Sequence, residues 1–182
     1  MSVPDDSSPR DFLRGCEFSA DRANRSFPHA RDIMLGGLFI SHSGEDSIRI
    51  QEQIILPVVL EKFPGDGYFM HSRRSGGADS YRLLVQAALH WCDKFMVVIS
   101  ERSVRNPWVV AEVEWAVDNS RPILVSSFDG RGWKDLLGSI GNCESVVLEQ
   151  VFDFGCDEQR AQQELGRALD RLLVRLPRCG WF

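Results

Sequence analysis

Two tryptophans flank a glutamate beyond the middle of the chain. Trp108, Glu112 and Trp115 are spaced so that a helix would place all three on one face. Apolar neighbours disfavour the ionised carboxylate and raise its pKa, while a nearby helix N-terminus opposes that change. Glu112 is therefore a candidate catalytic residue. A regular helix would rotate Glu114 by about 200° from it, and we expect Glu114 to be solvated.

Polar side chains also follow two short apolar runs. Ser41 and His42 end the first run, and Arg73 and Arg74 lie in a glycine-containing loop after the second. The arginines could bind a phosphate as fork-shaped donors or could be ordinary solvated charges. A hydrolytic serine–histidine pair is disfavoured, because adjacent strand residues point to opposite faces of a sheet. His42 is better explained as a hydrogen-bonded residue at a strand end than as a general base.

Alternating strands and helices are predicted from residue 37 onward. Short apolar runs predict strands at residues 37–41, 68–70, 94–100, 122–126 and 145–148. The segments between and after them predict helices at residues 43–62, 80–92, 107–119 and 157–176. Pro57 falls inside the first helix and removes a backbone hydrogen bond, so a kink or short break is expected there. The predicted buried stripe of the last helix consists of Leu165, Leu169, Leu172, Leu173 and Leu176.

This alternation predicts an α/β fold: a flavodoxin-like, doubly wound, five-stranded parallel sheet flanked by helices. Ligands of such sheets bind beyond the carboxyl ends of the strands, where the strand order reverses. The loops at 41–45, 71–80, 100–108 and 126–133 are therefore the places to expect a site. The chain has no GxxxxGK[ST], GxGxxG or GxSxG motif, and the first and third strands do not end in the acids of a receiver domain.

Composition limits the function classes further. The 182 residues fit one domain, and a net charge of -5 disfavours broad nucleic-acid binding. Five cysteines, widely spaced and without a CxxC pair, disfavour a disulfide framework and a structural zinc site and favour a reducing, cytoplasmic location. No apolar run is long enough to span a membrane, and the N-terminus does not read as a secretory signal. We expect no metal, no membrane and no nucleic acid.

The chain divides into three parts by composition. Residues 1–36 are polar and charged, and we expect a head that is either mobile or docked on the domain surface. Within it, Phe12, Leu13 and Phe18 could dock a short helical piece. Residues 37–177 form the predicted domain, and residues 178–182 form a C-terminal tail.

Three segments resemble the motifs of the TIR (Toll/interleukin-1 receptor) domain family. Residues 38–46, Leu-Phe-Ile-Ser-His-Ser-Gly-Glu-Asp, are similar to its first box in the bacterial form, and residues 76–80, Gly-Gly-Ala-Asp-Ser, to the loop after its second strand. Ser100, Ser103 and the Trp-x-x-x-Glu of residues 108–112 resemble its third box. The resemblance covers about residues 37–176. It departs from the family at residues 69–72, which lack an aromatic–Asp pair, and at Val109, where many relatives have Cys.

The resemblance implies an enzyme that cleaves NAD+ at the nicotinamide–ribose bond, an NAD+ nucleosidase of the bacterial type. It assigns catalysis to Glu112 and predicts substrate binding by Phe39, Ser41, His42, Arg73, Arg74, Asp79, Ser80 and Trp108. Nicotinamide leaves as a neutral molecule, so one carboxylate suffices where ordinary glycosidases use two. NAD+ is the substrate, and no cofactor is implied. The product is ADP-ribose or a cyclic isomer of it.

The resemblance also implies partners. TIR enzymes act through TIR–TIR contacts, so a homo-oligomer with the loop at 71–80 in the contact is expected, together with a separate sensor or effector protein in bacterial anti-phage (antiviral) defence. The alternative is a non-catalytic TIR signalling or scaffold module that acts by association alone. A sensor of a nucleotide signal ranks third. The retained Glu112 favours the enzyme, because a pure scaffold does not need a carboxylate there.

Overall fold

A computed structural model of the chain describes residues 8–15, 20–43, 51–63, 67–70, 78–127, 135–136, 148–153 and 157–175. The strands are β1 (Leu38–Ser41), β2 (Tyr68–Met70), β3 (Lys94–Ile99), β4 (Ile123–Ser127) and β5 (Leu148–Asp153). The α-helices are α1 (Pro9–Gly15), α2 (Ala20–Ser26), α3 (Ala30–Met34), α4 (Leu56–Lys62), α5 (Ala78–Trp91), α6 (Pro107–Asp118) and α7 (Glu158–Arg175). Strands alternate with helices, which confirms the predicted α/β class.

The strands form one parallel sheet in the order β2-β1-β3-β4-β5. In the register of the sheet, Phe39 of β1 lies between Phe69 of β2 and Phe95 of β3. The strand order reverses at β1, because the chain first adds β2 on one side of it and then β3 on the other. The carboxyl ends of β1 and β3 therefore define the switch point, where open α/β sheets bind ligands.

Helices cover both faces of the sheet, which explains the continuous apolar strands. Successive strand residues point to opposite faces. Phe39 and Phe95 belong to a core shared with α5, α6 and Leu13 of α1. Ile40 and Met96, their neighbours along the chain, belong to a second core shared with α4 and α7.

Most predicted elements agree with the structure within two residues, and two details differ. β5 spans Leu148–Asp153 instead of residues 145–148, of which 145–147 lie outside the described residues. In α7, Leu165, Leu169 and Leu172 are buried as predicted, but Leu173 is 37% exposed, so its place in the buried stripe was wrong. Leu173 is turned about 100° from Leu172 and leaves the face that meets the sheet. Leu176 lies outside the described residues.

The break expected near Pro57 takes the form of a π-helical turn. Residues Gln51–Ile55 are π-helical and lead directly into α4, which has Pro57 in its first turn. An α-helical partner for the Gln53 carbonyl would be the N–H of residue 57, which proline lacks. The Gln162 side chain of α7 donates to that carbonyl at 2.7 Å instead. The break therefore helps to join α4 to α7.

Glycine is required where β1 begins. A Cβ on Gly37 would overlap the carbonyl oxygen of Gly67, which accepts a hydrogen bond from the Leu38 N–H at 3.0 Å. Only a residue without a side chain allows β1 and the segment before β2 to approach this closely.

The longest helices of the described part of the chain are α7 and α5, and none is long and apolar enough to cross a lipid bilayer.

Candidate functional site

Three phenylalanines on neighbouring strands stack against one another beneath the end of β1. The ring of Phe39 lies 5.2 Å from that of Phe69 and 5.3 Å from that of Phe95, with interplanar angles of 25° and 10°. Offset-stacked rings at these separations are a favoured packing of aromatic side chains. They follow from the sheet register, which places the three residues side by side.

Two serines shape the loop that follows β3. The Ser100 N–H donates to the Ser103 hydroxyl at 2.6 Å, and the Ser103 N–H donates to the Ser100 hydroxyl at 3.1 Å. The loop closes into a short 3₁₀ turn, Ser103–Arg105, and Asn106 then caps α6 by accepting from the Trp108 N–H at 3.0 Å. Pro107 occupies the first helical position, where a missing N–H costs nothing. This turn brings α6 to the end of β1.

Glu112 of α6 is buried against the end of β1. Its side chain accepts a hydrogen bond from the Ser41 hydroxyl, with Ser41 Oγ 2.6 Å from Glu112 Oε2. Glu112 is only 8% exposed. Burial raises the pKa of Glu112 to about 7, and the hydrogen bond from Ser41 acts in the opposite direction. The raised pKa agrees with the effect predicted for apolar neighbours. The group that opposes the rise is Ser41, where the helix N-terminus was predicted.

His42 is oriented by a glutamine from the π-helical turn. Its Nδ1 lies 2.8 Å from Nε2 of Gln51, and both residues are buried. An amide nitrogen can only donate, so Nδ1 of His42 accepts. A neutral imidazole in this arrangement carries its proton on Nε2.

A small cavity opens where these side chains meet. It has a volume of about 140 Å³, and its walls are Phe39, Ile40, His42, Tyr81, Asn106, Trp108, Val109 and Glu112. A cavity of about 150 Å³ is enough to hold a benzene ring, whereas sites for whole drug-sized ligands have about 300–1,000 Å³. This cavity therefore fits one ring of a larger molecule. It lies at the switch point of the sheet, between the end of β1 and the start of α6.

The predicted site residues fall into three groups. Phe39, His42, Trp108 and Glu112 line the cavity together, and Ser41 contacts Glu112 without being part of the cavity wall. Two more predicted positions, Asp79 and Ser80, lie in the first turn of α5, and their side chains are outside the described part of the chain. The last two, Arg73 and Arg74, lie outside the described residues altogether.

Sequence reasoning did not assign Tyr81 and Asn106 to the site, although both line the cavity. Asn106 carried a usable signal, because an asparagine before a proline is a typical start of a helix. Tyr81 carries no comparable local signal. Its position beside the cavity depends on how α5 packs, which no local pattern specifies.

Glu114 is not solvated, contrary to the prediction. Its side chain is 11% exposed, and Oε1 pairs with Nη2 of Arg10 at 2.6 Å. Leu13, from the same helix as Arg10, is buried in the core. The Gln86 side chain of α5 also donates to the Phe12 carbonyl of α1 at 3.1 Å. The periodicity of α6 could not predict that Glu114 is buried, because the residues that bury it belong to α1, about a hundred residues earlier in the chain.

Helix α1 also contacts Trp108, a residue of the cavity wall. The ring of Phe12 packs edge-on against that of Trp108, with centroids 6.0 Å apart and an interplanar angle of 64°. The guanidinium carbon of Arg82 lies 5.8 Å from the Phe12 ring centroid and 5.9 Å from that of Trp108. Phe12, Arg82 and Trp108 thus form a cluster beside the cavity, which we call the rim cluster.

Within the described residues, no group of three or more histidine, cysteine, aspartate or glutamate side chains is placed to hold a metal ion. A scan of the chain against protein-family models and a search of curated proteins both found no match.

Proposed function

We propose that this chain is a TIR-type NAD+ nucleosidase that cleaves the bond between nicotinamide and ribose. The observation that carries the proposal is the buried carboxyl group of Glu112, held by Ser41 at 2.6 Å in the wall of a ring-sized cavity at the switch point of the sheet. A buried carboxyl group with a raised pKa in a cleft is a strong candidate for a functional group.

The size of the cavity and its one carboxyl group suit this reaction. Cleavage of the glycosidic bond leaves a positive charge on the ribose, and the ionised Glu112 would stabilise that charge where water is largely excluded. Nicotinamide departs as a neutral molecule, so no second carboxylic acid has to protonate it. Ordinary glycosidases need two carboxyl groups because their leaving group requires a proton. The ring-sized cavity is consistent with binding the nicotinamide end while the rest of the dinucleotide lies outside.

The neighbours of Glu112 would position the substrate. The Trp108 indole and the Phe39 ring supply flat apolar surface for a ring, and His42, oriented by Gln51, adds a polar side chain to the cavity wall. Asn106, held as the cap of α6, adds an amide to the same wall. The remaining predicted residues, Arg73, Arg74, Asp79 and Ser80, keep their proposed substrate-binding roles.

Two further features support the TIR reading. The strand order β2-β1-β3-β4-β5 is the flavodoxin-like order. Ser100 and Ser103, in the segment that resembles the third box, form reciprocal hydrogen bonds in the turn that leads into α6 with Trp108 and Glu112. On this basis we propose a cytoplasmic effector or signal generator of bacterial anti-phage defence. It releases ADP-ribose or a cyclic isomer, associates with its own copies, and works with a separate sensor or effector protein.

The test is to incubate the concentrated protein with NAD+ and to separate nicotinamide and ADP-ribose products by chromatography. A concentration series is needed, because association between copies is expected to complete the active form. We expect Glu112→Gln to lower the rate roughly 10²–10³-fold, the loss typical when a transition-state charge loses its stabilising group. Glu114→Gln, a change on the same helix, should retain most of the activity. Cleavage that survives Glu112→Gln would exclude this site, and no cleavage at any concentration would favour the scaffold reading.

A further inference from the structure

We propose that Arg82 binds the diphosphate of NAD+ at the rim of the Glu112 cavity. This inference rests on the proposed function and names the group that recognises the phosphate-bearing part of the substrate. The size of the cavity determines which part of the substrate it can hold. The cavity has about 140 Å³ and fits one ring, so the diphosphate of a bound dinucleotide must lie outside it.

Arg82 lies beside two residues of the cavity wall. It follows Tyr81 on α5, and its guanidinium carbon is 5.9 Å from the ring centroid of Trp108. Substrate that extends past Tyr81 and Trp108 would therefore meet Arg82, the cation of the rim cluster. A guanidinium group presents paired donors that match the oxygens of a phosphate.

The rim cluster holds this guanidinium group before any ligand arrives. Its carbon is 5.8 Å from the Phe12 ring centroid as well, so aromatic rings from two different helices restrict it. Contact of a cation with the faces of such rings is attractive. A side chain that is already ordered loses less conformational entropy on binding, which favours affinity. Leu13 and the Arg10–Glu114 ion pair anchor α1, so Phe12 has a fixed position.

Electrostatics also favours a cation at this place. Glu112 in the cavity wall would repel a diphosphate whenever it is ionised, and a positive charge at the rim would offset that repulsion. Arg82 lies between the Trp108 ring of the cavity wall and the Phe12 ring of α1, which places its charge at the rim.

The test compares ligands with and without the diphosphate. The KM for NAD+ and the inhibition constants of ADP-ribose and nicotinamide riboside are measured for the wild type, Arg82→Gln and Arg82→Lys. We expect Arg82→Gln to raise the KM for NAD+ and the inhibition constant of ADP-ribose by roughly tenfold or more, the loss expected for a charge-assisted hydrogen bond. The inhibition constant of nicotinamide riboside and kcat should stay within about twofold of the wild type, because Arg82 binds substrate and transition state alike. Arg82→Lys keeps the charge without the fork and should fall between the two.

Arg167→Gln serves as the matched control, since Arg167 is exposed on α7 at the opposite face of the sheet. It should leave all three constants unchanged. Equal increases for ADP-ribose and nicotinamide riboside would mean that Arg82 only maintains the cavity, and would overturn the proposal. An unchanged constant for ADP-ribose in Arg82→Gln would overturn it too. A wild type that cleaves no NAD+ would instead refute the proposed function, and this inference with it.

Discussion

Two glutamates on one helix, separated by a single residue, have opposite surroundings. Glu112 and Glu114 are almost equally buried, at 8% and 9% exposed. Glu112 accepts a hydrogen bond from the neutral hydroxyl of Ser41, in the wall of a cavity. Glu114 instead pairs with the cation of Arg10, beneath α1. The partner therefore distinguishes the two environments, and the extent of burial does not.

The difference shows how the partner of a buried carboxyl group decides whether that group can change its ionisation near neutral pH. Burial disfavours the ionised form, and a neutral donor offsets that cost only in part. The pKa of Glu112 consequently rises to about 7, so both of its forms are populated near neutral pH. An adjacent cation stabilises the charged form, and the pair then connects two structural elements. Glu114 thus anchors α1, whereas Glu112 remains open to a substrate.

The largest expected effect is on stability. Folded Glu112 keeps its proton until about pH 7, whereas the unfolded chain loses it near the ordinary value of 4.5. The stabilising contribution of this proton is therefore complete below the unfolded pKa and is lost as the pH rises through the folded pKa. At about pH 8, Glu112→Gln should be more stable than the wild type by up to ~3 kcal/mol, and near pH 4 the gain should disappear.

Urea unfolding of both proteins across this pH range would measure the effect. Glu114→Gln is the control and should show no such gain at high pH, because Glu114 already has a cationic partner. A parallel pH dependence of the wild type and Glu112→Gln would remove the distinction between the two carboxyl groups.

The next effect concerns activity. If the ionised form of Glu112 stabilises the positive charge on ribose, kcat/KM should rise about tenfold for each pH unit and level off near pH 7. The profile should have this shape in Glu114→Gln as well. A flat profile from about pH 5 to pH 8 would contradict the role of Glu112 as the ionisable group.

A smaller change should follow removal of the Ser41 hydroxyl. The hydrogen bond from Ser41 lowers the pKa of Glu112, so Ser41→Ala should move the midpoint of the pH–rate profile to higher pH. At neutral pH, kcat/KM should fall roughly tenfold, because a hydrogen bond to an ionised group contributes about 1.5–3 kcal/mol. Activity should recover as the pH is raised. A loss that is equal at every pH would assign Ser41 to another role, and Ser41→Thr keeps the hydroxyl as a control.

The smallest effect tests the ion pair of Glu114. Arg10 is 48% exposed at its side chain, so water and salt screen the pair. A double-mutant cycle with Arg10→Gln and Glu114→Gln should give a coupling free energy of about 0.5–1 kcal/mol, smaller at high salt. Arg10→Gln and Glu112→Gln should show no coupling. Coupling between Arg10 and Glu112 instead would mean that the two environments are linked.

Local patterns were sufficient for the elements and for part of the site. Apolar runs and helical periodicity predicted β1, β3 and α6 within a residue or two, because strand and helix periods follow from backbone geometry alone. The spacing of Trp108 and Glu112 also follows from that geometry, and both residues do line one cavity. The two serines after β3 and the asparagine before Pro107 are likewise local features, since they form bonds within a few residues.

Contacts between distant segments required the tertiary structure. The hydroxyl of Ser41 meets Glu112 across 71 residues of sequence, and the buried state of Glu114 depends on Arg10 of α1. The position of Arg82 between two rings depends equally on three separate helices.

The sequence by itself determined the parallel α/β architecture and the helix face that carries Glu112. Only the tertiary structure decided which of the two neighbouring glutamates meets a neutral hydroxyl and which meets a cation. The physical reason is that the free energy of a buried charge depends on the groups around it, and packing brings those groups from distant parts of the chain.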